Sequence, residues 1–461
     1  MAEHVVLQAL RTLLDPAKVS IDHVLCEVLA RDALHPGRLP GWAVAEPLGI
    51  VRPADTTEVA AVLRLARQYR VPVVPIGGGS GLMGGAASLT PGLVLDLRGL
   101  QEVHIRPLDR MAEVGAGVTI QTLNEAAAPY GLMCAHDPWT VAVATVGGTI
   151  ATDSLGYLGG KYGSMGDQVL GVEVVLPDGE IVTTRAVEKA STGPRLHRLF
   201  VGAEGCFGIV TRATLRLFPV PQERLLLGWE FPSFAAGFAA LNALLQVGLR
   251  PGLLEYCDER PGVHVVSPAT LLMSCEGPRR VAQAEAEEAR SICVSYGAAP
   301  LPQAEVTAFW EERHTSGDAY AAARAAGTPW RRYGQRPPLD YLHVALPPSA
   351  VLAYRQYCLE TLEQAGLETL ETGLWGHAGL FNLVFTGSDG AQLAAVQPQL
   401  LQRCQELNGA MEYCHGVGVR LAPLMAREHG SGLALLRRLK QCLDPDAMLN
   451  PGKLALDMPP A

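Results

Sequence analysis

The first strong change of period along the chain falls between residues 55 and 76. Asp55-Thr56-Thr57-Glu58 resembles a capping box. Val59, Val62, Leu63 and Ala66 follow at helical spacing, which predicts an amphipathic helix to about Tyr69. Residues 71–76 then form an apolar run that reads as a strand, and 93–97 read as another. Residues 169–176 and 180–184 alternate around Pro177-Asp178-Gly179, a hairpin pattern. Residues 209–217 alternate as a further strand, and residues 1–46 read as an irregular, partly helical lead-in. Pro219-Val220-Pro221 is the linker candidate. Beyond it, short strands near 225–231, 252–256, 270–275, 340–346 and 380–386 alternate with helices near 233–247, 278–296, 348–365 and 390–408. That order predicts an antiparallel sheet covered by helices, so the fold class is α+β. The stretch 297–339, rich in Ala, Arg, Gly and Pro, breaks the pattern and reads as a loop over a site. A last helix near 432–442 puts Leu433, Leu436 and Leu439 on one face, and Asp444-Pro445 ends it.

Composition narrows the function classes. A chain of 461 residues suggests two or three domains. Net charge of −9, few aromatics and no Lys/Arg run argue against a nucleic-acid partner. No basic flank precedes an apolar segment at the start, so no signal peptide is expected. No apolar run reaches about 18 residues, so no membrane span is expected. The ten cysteines are scattered without a C-x-x-C pair, which supports neither an iron–sulfur cluster nor a zinc ribbon. Unpaired cysteines without a leader point to the cytoplasm.

The chemistry begins at residues 72–85. An apolar strand runs into Pro75-Ile76-Gly77-Gly78-Gly79-Ser80-Gly81. Glycines let the backbone approach a ligand closely, and successive N–H groups in such a turn make an anion site. The loop suits a pyrophosphate. It lacks the G-x-G-x-x-G spacing and the Gly-Lys-Ser/Thr of the two common nucleotide loops.

Four further segments follow in order. They are Thr145-Val146-Gly147-Gly148, then Glu204-Gly205-Cys206-Phe207-Gly208-Ile209-Val210, then Gly376-His377-Ala378-Gly379, and last His415-Gly416-Val417-Gly418 with Asn450-Pro451-Gly452. Together with the glycine loop, this set resembles the vanillyl-alcohol oxidase superfamily of FAD enzymes with a PCMH-type FAD-binding domain. The branch it is most similar to contains glycolate oxidase FAD subunits, D-lactate and D-2-hydroxyglutarate dehydrogenases and alkyldihydroxyacetonephosphate synthase. The resemblance implies a two-subdomain FAD domain and a cap domain with a helix-covered antiparallel sheet. It divides the chain into a lead-in (1–46), an FAD domain (47–221), a cap (222–415) and a C-terminal return (416–461). It assigns FAD contacts to residues 75–81, Asp137, Pro138, Thr145, Val146, Gly147, Gly148, Glu204, Gly205, Gly208, Ile209, Val210 and Asn450. Some relatives bind FAD through a histidine beside the loop. None stands here, so non-covalent FAD is expected.

The resemblance also proposes the reacting groups. His415 is the candidate base, since an imidazole titrates near neutrality. Arg313, in Trp310-Glu311-Glu312-Arg313, is the candidate anion clamp because guanidinium grips a carboxylate with paired bonds. A surface ion pair competes for that arginine, and His314 and Arg324 are weaker candidates. His377 is the third catalytic candidate. Many relatives hold a divalent metal through two histidines and a glutamate, but Val384 and Cys414 stand at two of those positions. No metal is expected. The implied reaction is oxidation of a hydroxy acid or related alcohol by hydride transfer to flavin N5. The electron acceptor could be oxygen, a quinone or an iron–sulfur partner subunit, and a homodimer is compatible. A redox-neutral synthase or a non-catalytic flavin subunit of a larger complex are the alternatives.

Overall fold

Strands Val73–Ile76 and Leu93–Asp96 are buried at nearly every position, as expected of parallel strands covered on both faces. In the computed structural model, which describes residues 2–35, 38, 43–259, 268–326 and 338–457, they sit in a four-stranded sheet. Its order is Val19–Ser20, Gly49–Val51, Leu93–Asp96, Val73–Ile76, and the last three run parallel. The crossover helix Thr56–Tyr69 is the one the sequence predicts. Asp55 caps it by accepting the Glu58 N–H at 2.9 Å. Val59, Val62, Leu63 and Ala66 bury its inner face with Val73, Leu93 and Leu95 of the sheet.

A second, antiparallel sheet has the order Val103–Arg106, Met111–Gly115, Ile209–Arg216, Val169–Val175, Ile181–Thr183. The expected hairpin is present, and Gly179 takes the positive φ of 81° that its turn needs. Its partner hairpin, formed by Val103–Arg106 and Met111–Gly115, is absent from the sequence reading. Val103–Arg106 is an edge strand with alternate positions exposed, so its apolar signal is weak.

The third sheet has seven antiparallel strands in the order Ala299–Pro300, Glu223–Phe231, Ala269–Gly277, Leu254–Glu259, Glu368–Trp375, Leu380–Thr386, Leu339–Ala345. Helices cover one face. Tyr354 of helix Pro348–Gln364 packs edge-on against Phe381, and Phe234 of helix Phe234–Gln246 packs against Tyr256. Register places Tyr341 and His343, Asn382, Glu371 and Trp375, and Glu255 together on the other face. Strand Glu368–Trp375 escapes the sequence reading because this polar face gives it an unstrandlike composition. The reading of 297–339 as a loop is corrected over its described part. Helices Gln303–Glu312 and Thr315–Ala325 occupy it, and residues 327–337 lie outside the described residues. The second helix is wedged tightly against the chain, since a Cβ on Gly317 would overlap the Trp139 carbonyl.

The C-terminal helix Ser431–Leu443 returns to the first half of the chain. Lys440 fastens it there. Its buried ammonium donates to Asp444 at 2.6 Å, to the Cys206 carbonyl at 2.9 Å and to the Leu449 carbonyl at 2.8 Å. Lys440→Met should destabilise the protein by ~3–5 kcal/mol, because Asp444 is left as a buried unpaired charge. Urea unfolding measures this, and a loss below about 1 kcal/mol would contradict it. Among the described residues no helix is long and apolar enough to cross a membrane.

Candidate active site

A cavity of about 1640 Å³ lies between the glycine loop, residues 138–156 and 200–210, and the polar face of the seven-stranded sheet. It exceeds the ~300–1,000 Å³ of an ordinary ligand pocket and suits a dinucleotide plus a substrate. The glycine loop forms one wall. Among the described residues, none of the N–H groups of residues 77–81 donates to another protein group. These donors are therefore available to a pyrophosphate. The loop is fixed from behind. Gly79 has φ 70°, its carbonyl accepts the Tyr320 hydroxyl at 2.6 Å, and Gly77 and Gly78 press on Thr145 and Val143. Thr145 caps helix Val146–Thr152 through the Gly148 N–H, so two elements of the cavity wall share one anchor. These features fit FAD, with residues 75–81 at its phosphates.

Glu204 joins the two ends of the site. Its Oε1 accepts the N–H groups of Val417 and Gly418 at 2.6 and 2.9 Å, which holds the loop after His415. Glu204 also lines the cavity. Its side chain is thus a brace as well as part of the cavity wall. Asp32 lies at the other side, facing Gly81, and was hidden in the N-terminal lead-in. Burial pushes the Asp32 carboxyl up to about 6 and that of Glu204 up to about 7, against the partial relief of backbone N–H donors. Lys453 sits near both, drawn down to about 8 by burial. Because both acids have folded-state values above their unfolded ones, each stabilises the fold when protonated. That contribution is complete below about pH 4 and is lost as pH rises through about 6 and 7. Asp32→Asn should remove about 1.4 kcal/mol of the decline in stability of the cofactor-free protein between pH 5 and 8. Urea midpoints of both proteins at the two pH values test this, and parallel declines would contradict it.

The end of the cavity at the seven-stranded sheet is lined by Tyr341, His343, Trp375, Glu255, Arg313 and His415. His415 Nδ1 lies 3.4 Å from Glu412 Oε1. That oxygen also accepts the N–H groups of Tyr413, Cys414 and His415 at 3.1, 2.8 and 3.0 Å. Burial opposes charge on the His415 ring, but neighbouring Cys414 and Glu412 outweigh it and raise its pKa well above the usual value. Burial, then His415, depress His343 well below. Burial, then Glu371, push the Glu255 carboxyl well above the ordinary carboxylate range. Arg313 is partly committed. Its Nε meets Asp137 Oδ2 at 2.9 Å, its Nη1 meets the Trp310 carbonyl, and its guanidinium lies 3.7 Å from the Trp310 ring centre. Among the described residues only Nη2 is left without a partner.

Of the residues expected at the FAD, residues 75–81, Pro138, Thr145, Gly147, Gly148, Glu204, Gly205, Gly208, Ile209 and Val210 line the cavity. Four expectations are corrected. Asp137 is not on the wall, because Arg313 and His314 take both its oxygens. Val146 is buried in the core at the helix start. Asn450 acts from behind, donating to the Gly85 and Glu204 carbonyls at 2.8 and 2.6 Å. His377 is exposed, outside the cavity wall, and its Nδ1 accepts the Gly379 N–H. The ligand set of the metal-bearing relatives therefore does not converge here. Val384 lacks a donor atom, and the Cys414 thiol is spent on the Leu155 carbonyl at 3.3 Å. Sequence reasoning missed Asp32, His343, Glu255 and Glu412. Only Glu412, three residues before His415, carried a local signal.

Comparison with known proteins matches two regions of the chain. Residues 47–185 match the FAD binding domain profile, and residues 220–454 match that of the C-terminal domain of FAD linked oxidases. A D-lactate dehydrogenase of Archaeoglobus fulgidus is 32% identical over 89% of this chain and 92% of its own. The glycolate oxidase subunit GlcD of Bacillus subtilis is 28% identical over 88% and 89%. Solved structures of alkyldihydroxyacetonephosphate synthase (TM-score 0.77, 18% identity, 97% of this chain and 84% of that one) and of p-cresol methylhydroxylase (0.76, 17%, 99% and 97%) share the fold. With a pyrophosphate-ready loop, a cavity of dinucleotide size and profile matches over both halves, the chain belongs to the FAD-linked oxidases and uses FAD as its cofactor.

Proposed function

We propose that this enzyme oxidises a hydroxy acid, such as a 2-hydroxy acid of the glycolate or D-lactate kind, or a related alcohol. FAD supplies the hydride acceptor there. The observation that carries the reading is the placement of His415. It stands on the cavity wall with Nδ1 3.4 Å from Glu412, which leaves Nε2 to take the hydroxyl proton once the ring, whose pKa lies above the usual value, has lost its own. Glu412 Oε1 stands 3.4 Å behind Nδ1, on the side of the ring away from the cavity-facing Nε2. Arg313 Nη2, without a partner among the described residues, would hold the substrate carboxylate. The substrate class also draws support from relatives named as D-lactate dehydrogenase, glycolate oxidase subunit and D-2-hydroxyglutarate dehydrogenase. Anaerobic rapid mixing with a 2-hydroxy acid and its 2-deuterated form tests the reading. The deuterated substrate should reduce the flavin more slowly. Reduction at equal rates would argue against transfer of that hydrogen in the limiting step.

A further inference from the structure

Opposite the glycine loop, a three-residue cluster has more ligand capacity than the oxidation uses. His343, Glu412 and His415 offer atoms that all lie within 4.8 Å of one another. His343 comes from strand Leu339–Ala345, and the other two from a segment about 70 residues later, so the fold brings them together. His343 is only 5% exposed, and neither of its ring nitrogens has a hydrogen-bond partner. A bare buried polar atom costs ~1–3 kcal/mol, so an imidazole with two of them is built to be met by something. His415 Nδ1 is likewise buried without a hydrogen bond. The two rings stand 4.6 Å apart, edge to face.

We infer that His343, Glu412 and His415 form a binding site for a divalent transition-metal ion of the zinc class. Two imidazole nitrogens and one carboxylate oxygen are a three-ligand set with an open fourth position. In a tetrahedron with metal–ligand bonds of ~2.0–2.2 Å, ligand atoms stand about 3.3–3.6 Å apart. Small rotations of the three side chains close the difference. Glu412 can keep Oε1 on its backbone donors and offer Oε2. None of this set coincides with His377, Val384 or Cys414.

The site has a consequence for turnover, which rests on the proton-accepting role of His415 proposed above. An ion on Nδ1 fixes the proton on Nε2. The nitrogen facing the cavity then becomes a donor and cannot accept the hydroxyl proton. Zinc occupancy and oxidation therefore exclude each other.

The test uses FAD-loaded protein stripped with a chelator, dialysed against zinc and analysed for metal content. One zinc per chain is expected. It should be lost in His343→Ala and in Glu412→Gln and kept in His343→Cys, with the flavin spectrum and FAD content of each variant as the folding control. If His343→Ala sheds its FAD, Glu412→Gln decides. Sub-stoichiometric zinc, or full zinc in a folded Glu412→Gln or His343→Ala protein, overturns the site. Zinc should also slow anaerobic flavin reduction, reversibly on chelation. Faster reduction with zinc overturns the exclusion while leaving the binding result to stand by itself. Binding is read without substrate, so failure of the oxidation reading would not mimic failure of the site.

Discussion

Replacement of His415 by alanine should slow anaerobic flavin reduction by ~10³-fold and leave FAD in place. Loss of a positioned general base typically costs about 10²–10⁴ in rate. The loop itself should survive, because the imidazole does not hold it. Glu204 takes the N–H groups of Val417 and Gly418, and Glu412 takes that of His415. The glycine loop lies on the other wall, so cofactor affinity should be nearly unchanged. Stopped-flow absorbance and the ratio of FAD to protein measure the two halves of this expectation. A rate within a few-fold of the unaltered protein would mean that another group accepts the proton. Loss of FAD instead would place the imidazole in cofactor binding.

Gly78→Ala should yield protein that binds FAD about a hundredfold more weakly, equivalent to ~3 kcal/mol. A Cβ at this position would overlap the Val143 carbonyl oxygen. That neighbour is backbone, and it cannot swing aside as a side chain would. The Val143 and Ala144 N–H groups are bonded to the Thr140 carbonyl, and Thr145 caps a helix. The strain must therefore be relieved by the glycine loop, which would move the N–H groups away from the pyrophosphate position. Overpacking of this kind also costs ~1–3 kcal/mol of stability. Ser80→Ala in the same loop is the control, and it should retain FAD. Fluorescence titration of both variants with FAD provides the comparison. Equal affinities would contradict the assignment of this loop.

The sequence shows most clearly where the physics is local. Asp55 and Glu58 announce a helix start, and the spacing of Val59, Val62, Leu63 and Ala66 announces its buried face. The glycine run announces close backbone approach, and its N–H groups are unspent as that implies. What stays hidden depends on pairing across long separations. Strand Glu368–Trp375 carries Trp375 to the cavity wall and Glu371 to the same face of the sheet, where Asn382 donates to it, and polar residues on such a face do not read as a strand. Asp32 reaches Gly81 only through folding of the lead-in, and His343 reaches His415 only through the sheet register. The sequence also suggests cofactor contact for Asp137 and Asn450. Both are at the right place in the chain, but one is drawn off by Arg313 and His314, and the other binds two carbonyls. Residue type and order place such groups near a site, whereas hydrogen-bond partners decide whether they face it.

The most direct measurement is anaerobic titration of the FAD-loaded, chelator-treated protein with a panel of D- and L-2-hydroxy acids and simple alcohols. The account predicts that at least one hydroxy acid bleaches the visible flavin band completely, with one keto acid formed per flavin reduced. A flavin that stays oxidised with every member of the panel would contradict it.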